Sequence, residues 1–147
     1  MAENARDLFT RFANAVNTRD KTTLRSMFHP QFTAVAPQSG ERSVGFEGFW
    51  AQIESYPGGV PEMPALPETR LLGDDDRWAI TPAYTVVPLA TPNQFTILAA
   101  TAYPDGQRWH TISMVELRDT LIYRMEFFYA PELPAPLSDS IAAYGRG

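Results

Sequence analysis

The sequence YPDGQRWHTISMVELRDTLIYRMEFFY, residues 103–129, decides the fold. Its two halves, 109–117 and 121–129, are rich in the aromatic and branched residues that favour strands, and a short polar segment, 118–120, separates them. This pattern predicts a long β-hairpin. Because an isolated two-stranded ribbon is only marginally stable in water, its aromatic face has to pack against another layer of the same chain.

The amino-terminal third supplies that layer as three predicted helices. Apolar residues recur there at helical spacing, and each segment has recognisable end signals. The first helix is predicted over 4–17, the second begins at the capping residue Asp20 and ends before Pro30, and the third covers 46–53. The fold class is therefore α+β, with a strongly bent mixed or antiparallel sheet wrapped around the helices.

The rest of the chain is predicted as strands and connecting loops. Further strands are expected at 32–36, 78–87 and 94–103, with a turn at 37–44. Residues 57–68 contain four prolines and two glycines, so the segment 57–67 is predicted to be a semi-rigid loop that folds over an opening as a lid.

Length and composition predict one domain over 1–147, with a core at about 5–136 and a partly disordered tail at 137–147. The chain has no cysteine, and its two histidines lie far apart, so we expect neither a metal nor another cofactor. A net charge of −5 with dispersed cations argues against nucleic-acid binding. Without an export signal or a long apolar run, we expect no membrane association and a cytoplasmic location.

Three segments resemble the SnoaL-like branch of the nuclear transport factor 2-like superfamily. They are YPDGQRWHTISMVELRD at 103–119, FEGFWAQIESYPGG at 46–59 and FFYAPELPAP at 127–136. The resemblance implies a cystatin-like cone with an internal pocket, and a homodimer in which the outer sheet faces meet. It also implies a small apolar or aromatic ligand. The sequence departs from the family at the usual RDG turn, which is replaced by Arg-Asp-Thr at 118–120, and at the usual acidic-aromatic-proline ending, which is replaced by Ala-Pro-Glu-Leu-Pro at 130–134.

The catalytic positions that this resemblance implies are occupied here by residues that cannot do the same chemistry. The general base of ketosteroid isomerase aligns with Ala36, its helix-one tyrosine with Phe12 and its neutral aspartic acid with Ser113. The carboxylate of limonene epoxide hydrolase aligns with Phe127. These substitutions remove the corresponding acid, base and oxyanion hole.

Alternation along the hairpin predicts which side chains line a pocket, since successive strand residues point to opposite faces. With Ser113 on the pocket side, alternation also brings Tyr123 to that side. The alternative is that the rings simply fill the core. The predicted ligand-binding residues are Phe12, Trp50, Trp109, Thr111, Ser113, Met125, Phe127 and Tyr129.

His110 is the candidate catalytic residue, because an imidazole titrates near neutral pH. Strict alternation points it away from the pocket, whereas a β-bulge near Gln107 and Arg108 reverses its direction. Two functions therefore stay open. The first is an isomerase-, cyclase- or dehydratase-type enzyme that binds a small hydrophobic molecule, with His110 as base and Tyr129 or Ser113 as donor. The second is a non-catalytic ligand-binding or dimerisation module.

Overall fold

The computed structural model describes residues 5–60, 62–63, 70–72 and 93–133. Their order along the chain confirms the predicted α+β class, with the helices in the amino-terminal part and the long strands in the carboxy-terminal part. The elements are α1 (Ala5–Thr18), α2 (Lys21–Met27), β1 (Phe28–Ala36), β2 (Glu41–Val44), α3 (Gly45–Ser55), β3 (Arg70–Leu72), β4 (Gln94–Ala102), β5 (Arg108–Arg118) and β6 (Leu121–Pro131).

The six strands form one mixed sheet in the order β2-β1-β6-β5-β4-β3. β1 pairs with β6 in parallel, and the other neighbouring strands are antiparallel. The predicted hairpin is β5 and β6, which pair from Trp109 opposite Pro131 to Arg118 opposite Leu121. The sheet is open, with β2 and β3 at its edges.

The helices form where capping and periodicity predicted them. The Asp20 carboxylate accepts a hydrogen bond from the Thr23 backbone N–H at 3.1 Å and so caps α2. Hydrogen bonding to Thr23 lowers the pKa of Asp20. The third helix buries Phe46, Trp50 and Ile53 at the predicted spacing.

An aromatic core joins these helices to β1. Phe28 lies at its centre, with ring centroids 4.7 Å from Phe32 and 4.9 Å from Phe49. The largest side chains that are almost completely buried are those of Phe9, Leu24, Met27 and Phe32. Tilted and edge-on ring contacts of this kind stabilise a core beyond the area that they bury.

Two predictions about the segment after α2 are wrong. β1 begins at Phe28 rather than at residue 32, because Phe28 pairs with Ile122 of β6. Pro30 cannot donate to the ladder, and the pairing is irregular between Phe28 and Thr33. The predicted turn at 37–44 contains β2, which pairs with β1 and buries the side chain of Ser43.

The prediction for Tyr123 is also wrong. The register of β5 and β6 shifts next to Glu116, so that Leu117 pairs with Ile122 and Tyr123 is left without a partner in the ladder. This β-bulge places the buried Ile122 on the helix-facing side, while Tyr123 contacts His29, Arg118 and Arg124.

Part of the predicted lid is anchored to the carboxyl end of α1. The Asn17 amide donates to Met63 O at 3.2 Å and accepts from Met63 N at 2.9 Å. The Arg19 guanidinium donates to Val60 O at 3.3 Å. Residues 61 and 64–67 of this loop, the predicted strand at 78–87 and the tail at 137–147 lie outside the described residues.

Candidate ligand pocket

The side of β4, β5 and β6 that faces the helices is called the inner face. The burial of its side chains changes along the length of the strands. Near the β5–β6 turn, Val115 and Phe95 are 3% and 6% exposed because they pack against α1. Toward the other end, Trp109 and Tyr129 are only half-buried. The inner face carries Phe95, Ile97, Ala99 and Thr101 of β4, Trp109, Thr111, Ser113 and Val115 of β5, and Met125, Phe127 and Tyr129 of β6.

The buried end of this face leaves little free space. A gap of about 10 Å³ lies between α1 and the sheet, which is about the room that one water molecule needs. Its lining is entirely apolar, so this part of the cone is a packed core. The residues around it are Leu8, Phe9, Phe12, Phe95, Ile97, Val115, Ile122 and Met125.

The half-buried end carries a row of aromatic rings, called the aromatic row here. Neighbouring ring centroids are 5.7–6.4 Å apart, in the range of favourable aromatic contacts. The row brings the carboxyl end of α3 together with the β4–β5 turn and β6. In order, its members are Tyr56, Tyr103, Trp109, Tyr129 and Phe127.

Two hydrogen bonds that involve backbone N–H groups fix this end of the sheet. The turn between β4 and β5 is closed by a hydrogen bond of 3.0 Å from Tyr103 N to Gln107 O. The Gln38 side-chain oxygen accepts from Tyr129 N at 3.1 Å. The rings of Tyr103, Trp109 and Tyr129 are therefore held on a defined backbone.

The polar groups beside these rings are hydroxyls. Burial, followed by a hydrogen bond with the Tyr56 side chain, raises the pKa of Tyr103 to about 12. Thr111 and Ser113 are half-buried on the inner face, and Thr111 Oγ1 lies 3.5 Å from Ala99 O. These side chains are uncharged at neutral pH and can donate hydrogen bonds.

Five of the predicted ligand-binding residues lie together on the inner face. Register places Ser113 opposite Phe127 and Thr111 opposite Tyr129, and Trp109 is two positions further along β5. These five are half-buried.

The other three predicted ligand-binding residues belong to the packed interior. Phe12 contacts the rings of Phe28 and Phe49, and Met125 lines the small apolar gap. The ring of Trp50 stacks on Phe46, and its indole N–H donates to Glu54 Oε1 at 2.7 Å.

His110 lies on the outer face of the sheet. β4 and β5 pair without a register shift from Arg108 to Glu116, so the alternation is not reversed by a bulge near Gln107. The His110 side chain is 52% exposed, and its Nε2 lies 3.5 Å from Glu132 Oε1. The structure thus separates His110 from Ser113 and Tyr129 by the thickness of the sheet.

Tyr56 and Tyr103 were not among the predicted site residues. Tyr56 follows the apolar stripe of α3, and Tyr103 precedes the Pro-Asp-Gly turn, so both look like boundary residues in the sequence. The repeated pairing of a tyrosine with a Pro-Gly or Pro-Asp-Gly segment was the available signal. Only the packing of α3 on the sheet brings the two rings to 5.8 Å.

The described residues contain neither a cluster of metal-ligating side chains nor a membrane-spanning helix. In this part of the chain, no group of three or more His, Asp or Glu side chains is arranged to hold a metal ion. None of the helices found in residues 5–60 is long and apolar enough to cross a membrane.

A family model described as the SnoaL-like domain matches residues 9–125. The chain belongs to the SnoaL-like family. No curated protein matches it significantly.

Solved structures show the same fold at low sequence identity. A nuclear transport factor 2-like protein of unknown function from Burkholderia xenovorans is 18% identical, with a TM-score of 0.62, over 92% of this chain and 89% of that one. A protein from Sphaerobacter thermophilus is 14% identical, with a TM-score of 0.61, over 89% and 100% of the two chains. A protein with a ketosteroid isomerase-like fold from Catenulispora acidiphila is 14% identical, with a TM-score of 0.53, over 87% and 88%. These similarities show that this SnoaL-like chain has the same fold as these proteins.

Proposed function

We propose that this SnoaL-like protein binds a small, flat, apolar molecule against the aromatic row. The observation that carries the proposal is the half-buried state of Trp109, Phe127 and Tyr129, whose rings line up on one face of a rigid hairpin. Apolar walls with a few convergent hydroxyls are typical of small-molecule sites. The ligand lies at the half-buried end, because the other end of the inner face is filled by α1.

Binding without acid-base catalysis by the hairpin is favoured over the isomerase-type alternative. Among the described residues of β4, β5 and β6, the inner face carries no carboxylate and no imidazole. The base that the alternative requires, His110, is on the opposite face. Ala36, at the position of the isomerase base, is fully buried.

Titration with the uncharged dye Nile red tests the proposed site. We expect saturable binding with one dye per chain, and we expect Trp109→Ala to weaken it about tenfold, since an aromatic contact contributes on the order of 1 kcal/mol beyond the area that it buries. The dissociation constant is measured from dye fluorescence.

Ile112→Ala is the matched control, because Ile112 lies on the same strand but on the outer face, where it is 41% exposed. This variant should bind the dye as the wild type does. Equal weakening in both variants, or no saturable binding at all, contradicts a site on the inner face.

We also propose that a second copy of the chain covers the outer face of the sheet. Ile112, Met114 and Phe128 are 38–41% exposed there, and Ile112 pairs directly with Phe128 in the centre of the hairpin. Charges of both signs flank them, with Arg124 Nη1 4.0 Å from Glu116 Oε2. A face with an apolar centre and mixed charges is suited to pair with itself about a two-fold axis.

Sedimentation velocity tests this dimer. Phe128→Arg should shift the protein from dimer to monomer, because it places a charge in the centre of the apolar patch. Thr22→Arg, an exposed change on α2, should leave the dimer intact. A wild-type monomer at tens of micromolar concentration contradicts the proposal.

A further inference from the structure

A pair of tyrosines ends the aromatic row on the side of α3. Tyr56 directly follows α3, Tyr103 directly follows β4, and their ring centroids are 5.8 Å apart. A phenol has one proton to donate and an oxygen that accepts, so the two side chains together carry two donors. Even where one hydroxyl donates to the other, the second proton remains available to a third group.

The surroundings keep the Tyr103 phenol protonated. Burial and the bond with Tyr56 raise the pKa of Tyr103 to about 12, and the nearby Tyr129 acts in the same direction. A hydroxyl whose oxygen already accepts a hydrogen bond is polarised and becomes a better donor. Tyr103 is therefore a donor that stays neutral over the physiological pH range.

The same surroundings disfavour an anionic ligand. Among the described residues, the inner face of β4, β5 and β6 carries no lysine or arginine. The nearest described cation along β5, Arg108, is outside this face and lies 3.4 Å from Glu132 Oε2 through its Nε. A carboxylate bound next to Trp109 has no cation in these strands to offset its desolvation.

We propose that Tyr56 and Tyr103 form the polar anchor of the site and donate a hydrogen bond to an oxygen of an uncharged ligand whose flat apolar body lies against Trp109. This inference rests on the proposed function and adds to it the residues that select the ligand and the charge that the ligand carries. Selection arises because an acceptor oxygen satisfies the free phenol proton, whereas a hydrocarbon leaves it unpaired.

Three probes of nearly equal size test the anchor: methyl naphthyl ketone, ethylnaphthalene and naphthoate. Their dissociation constants are measured by quenching of tryptophan fluorescence at neutral pH. We expect the ketone to bind three- to tenfold more tightly than ethylnaphthalene, the range that corresponds to one net hydrogen bond. Naphthoate should bind more weakly than the ketone.

Variants then assign the preference to the tyrosines. Tyr56→Phe and Tyr103→Phe should each bring the ratio of ketone to hydrocarbon affinity close to one while leaving ethylnaphthalene binding unchanged. Tyr123→Phe is the matched control, because Tyr123 is outside the aromatic row. Its ring centroid lies 3.7 Å from the guanidinium carbon of Arg118. This variant should keep the wild-type ratio.

The outcomes separate this inference from the proposed function. If no probe binds, the proposed function fails and the inference fails with it. If the probes bind and Trp109→Ala weakens all of them, the site stands, and a wild-type ratio near one or tight naphthoate binding overturns the anchor alone. The ratio of ketone to hydrocarbon affinity in the wild type tests the anchor even if a tyrosine variant does not fold. If both variants fold and this ratio is unchanged in them, the anchor is also overturned.

Discussion

Replacing Thr120 with glycine should stabilise this protein. Asp119 and Thr120 form the two-residue turn between β5 and β6, and both have positive φ angles, 54° and 63°. Such a turn matches the twist of a hairpin, but the left-handed conformation costs a residue with a β-carbon roughly 1–2 kcal/mol. Asp tolerates it better than a β-branched residue does, so the strain is concentrated at Thr120.

The expected magnitude follows from two opposing terms. Thr120→Gly removes roughly 1–2 kcal/mol of backbone strain, and the greater freedom of glycine in the unfolded chain returns about 0.5–1 kcal/mol. Thr120 is exposed, so few contacts are lost. We expect the free energy of unfolding to rise by about 0.5–1 kcal/mol.

Urea denaturation at fixed protein concentration, followed by tryptophan fluorescence, measures this change. The midpoint should rise by a few tenths of a molar unit with the slope unchanged, because the surface exposed on unfolding is the same. Dye and ketone binding should not change, since the turn is at the opposite end of the hairpin from the aromatic row.

Gly106→Ala is the inverse control. Gly106 has a φ of 86°, and a β-carbon there meets no atom within 4 Å, so its cost is conformational only. We expect this variant to lose about 1 kcal/mol of stability. If Gly106→Ala is destabilising as expected but Thr120→Gly leaves the midpoint unchanged or lowers it, then Thr120 is not strained and the reasoning is refuted.

Three further predictions concern the core, the loop after α3 and the alkaline limit of stability. Phe32→Ala should cost about 3–5 kcal/mol in urea denaturation, because Phe32 is fully buried among rings; a loss below 1 kcal/mol contradicts close packing there. Asn17→Ala removes both hydrogen bonds to Met63, so the Met63 amide should exchange with deuterium faster while amides in β5 keep their protection; unchanged exchange at Met63 shows that the loop is held by other contacts. The pKa of Tyr103 is raised from about 10 to about 12, so its stabilising contribution is complete below pH 10 and is lost as the pH rises toward 12. The unfolding free energy of Tyr103→Phe should therefore fall less steeply across that interval than that of the wild type, and identical slopes argue against the raised pKa.

Local patterns in the sequence determined most of the secondary structure. Helical periodicity and the Asp20 cap predicted the helices to within a few residues, and alternating aromatic and branched residues predicted β4, β5 and β6. These features depend on neighbours within one turn or one strand, which the sequence displays directly. The same local rule of alternation correctly placed Trp109, Thr111 and Ser113 on one face.

Tertiary structure decided what depends on contacts between distant segments. The short strand β2 and the early start of β1 exist because β1 pairs with both β2 and β6, and the bulge at Tyr123 arises from the register of β5 on β6. Tyr56 and Tyr103 are 47 positions apart in the sequence and meet only when α3 packs on the sheet. The sequence by itself determined that the hairpin presents an aromatic face. The packing of α1 decided which end of that face is filled, and the contact of Tyr56 with Tyr103 decided where its hydroxyl donors lie. Only the tertiary structure could decide these two points, because burial and side-chain proximity are properties of the folded chain as a whole.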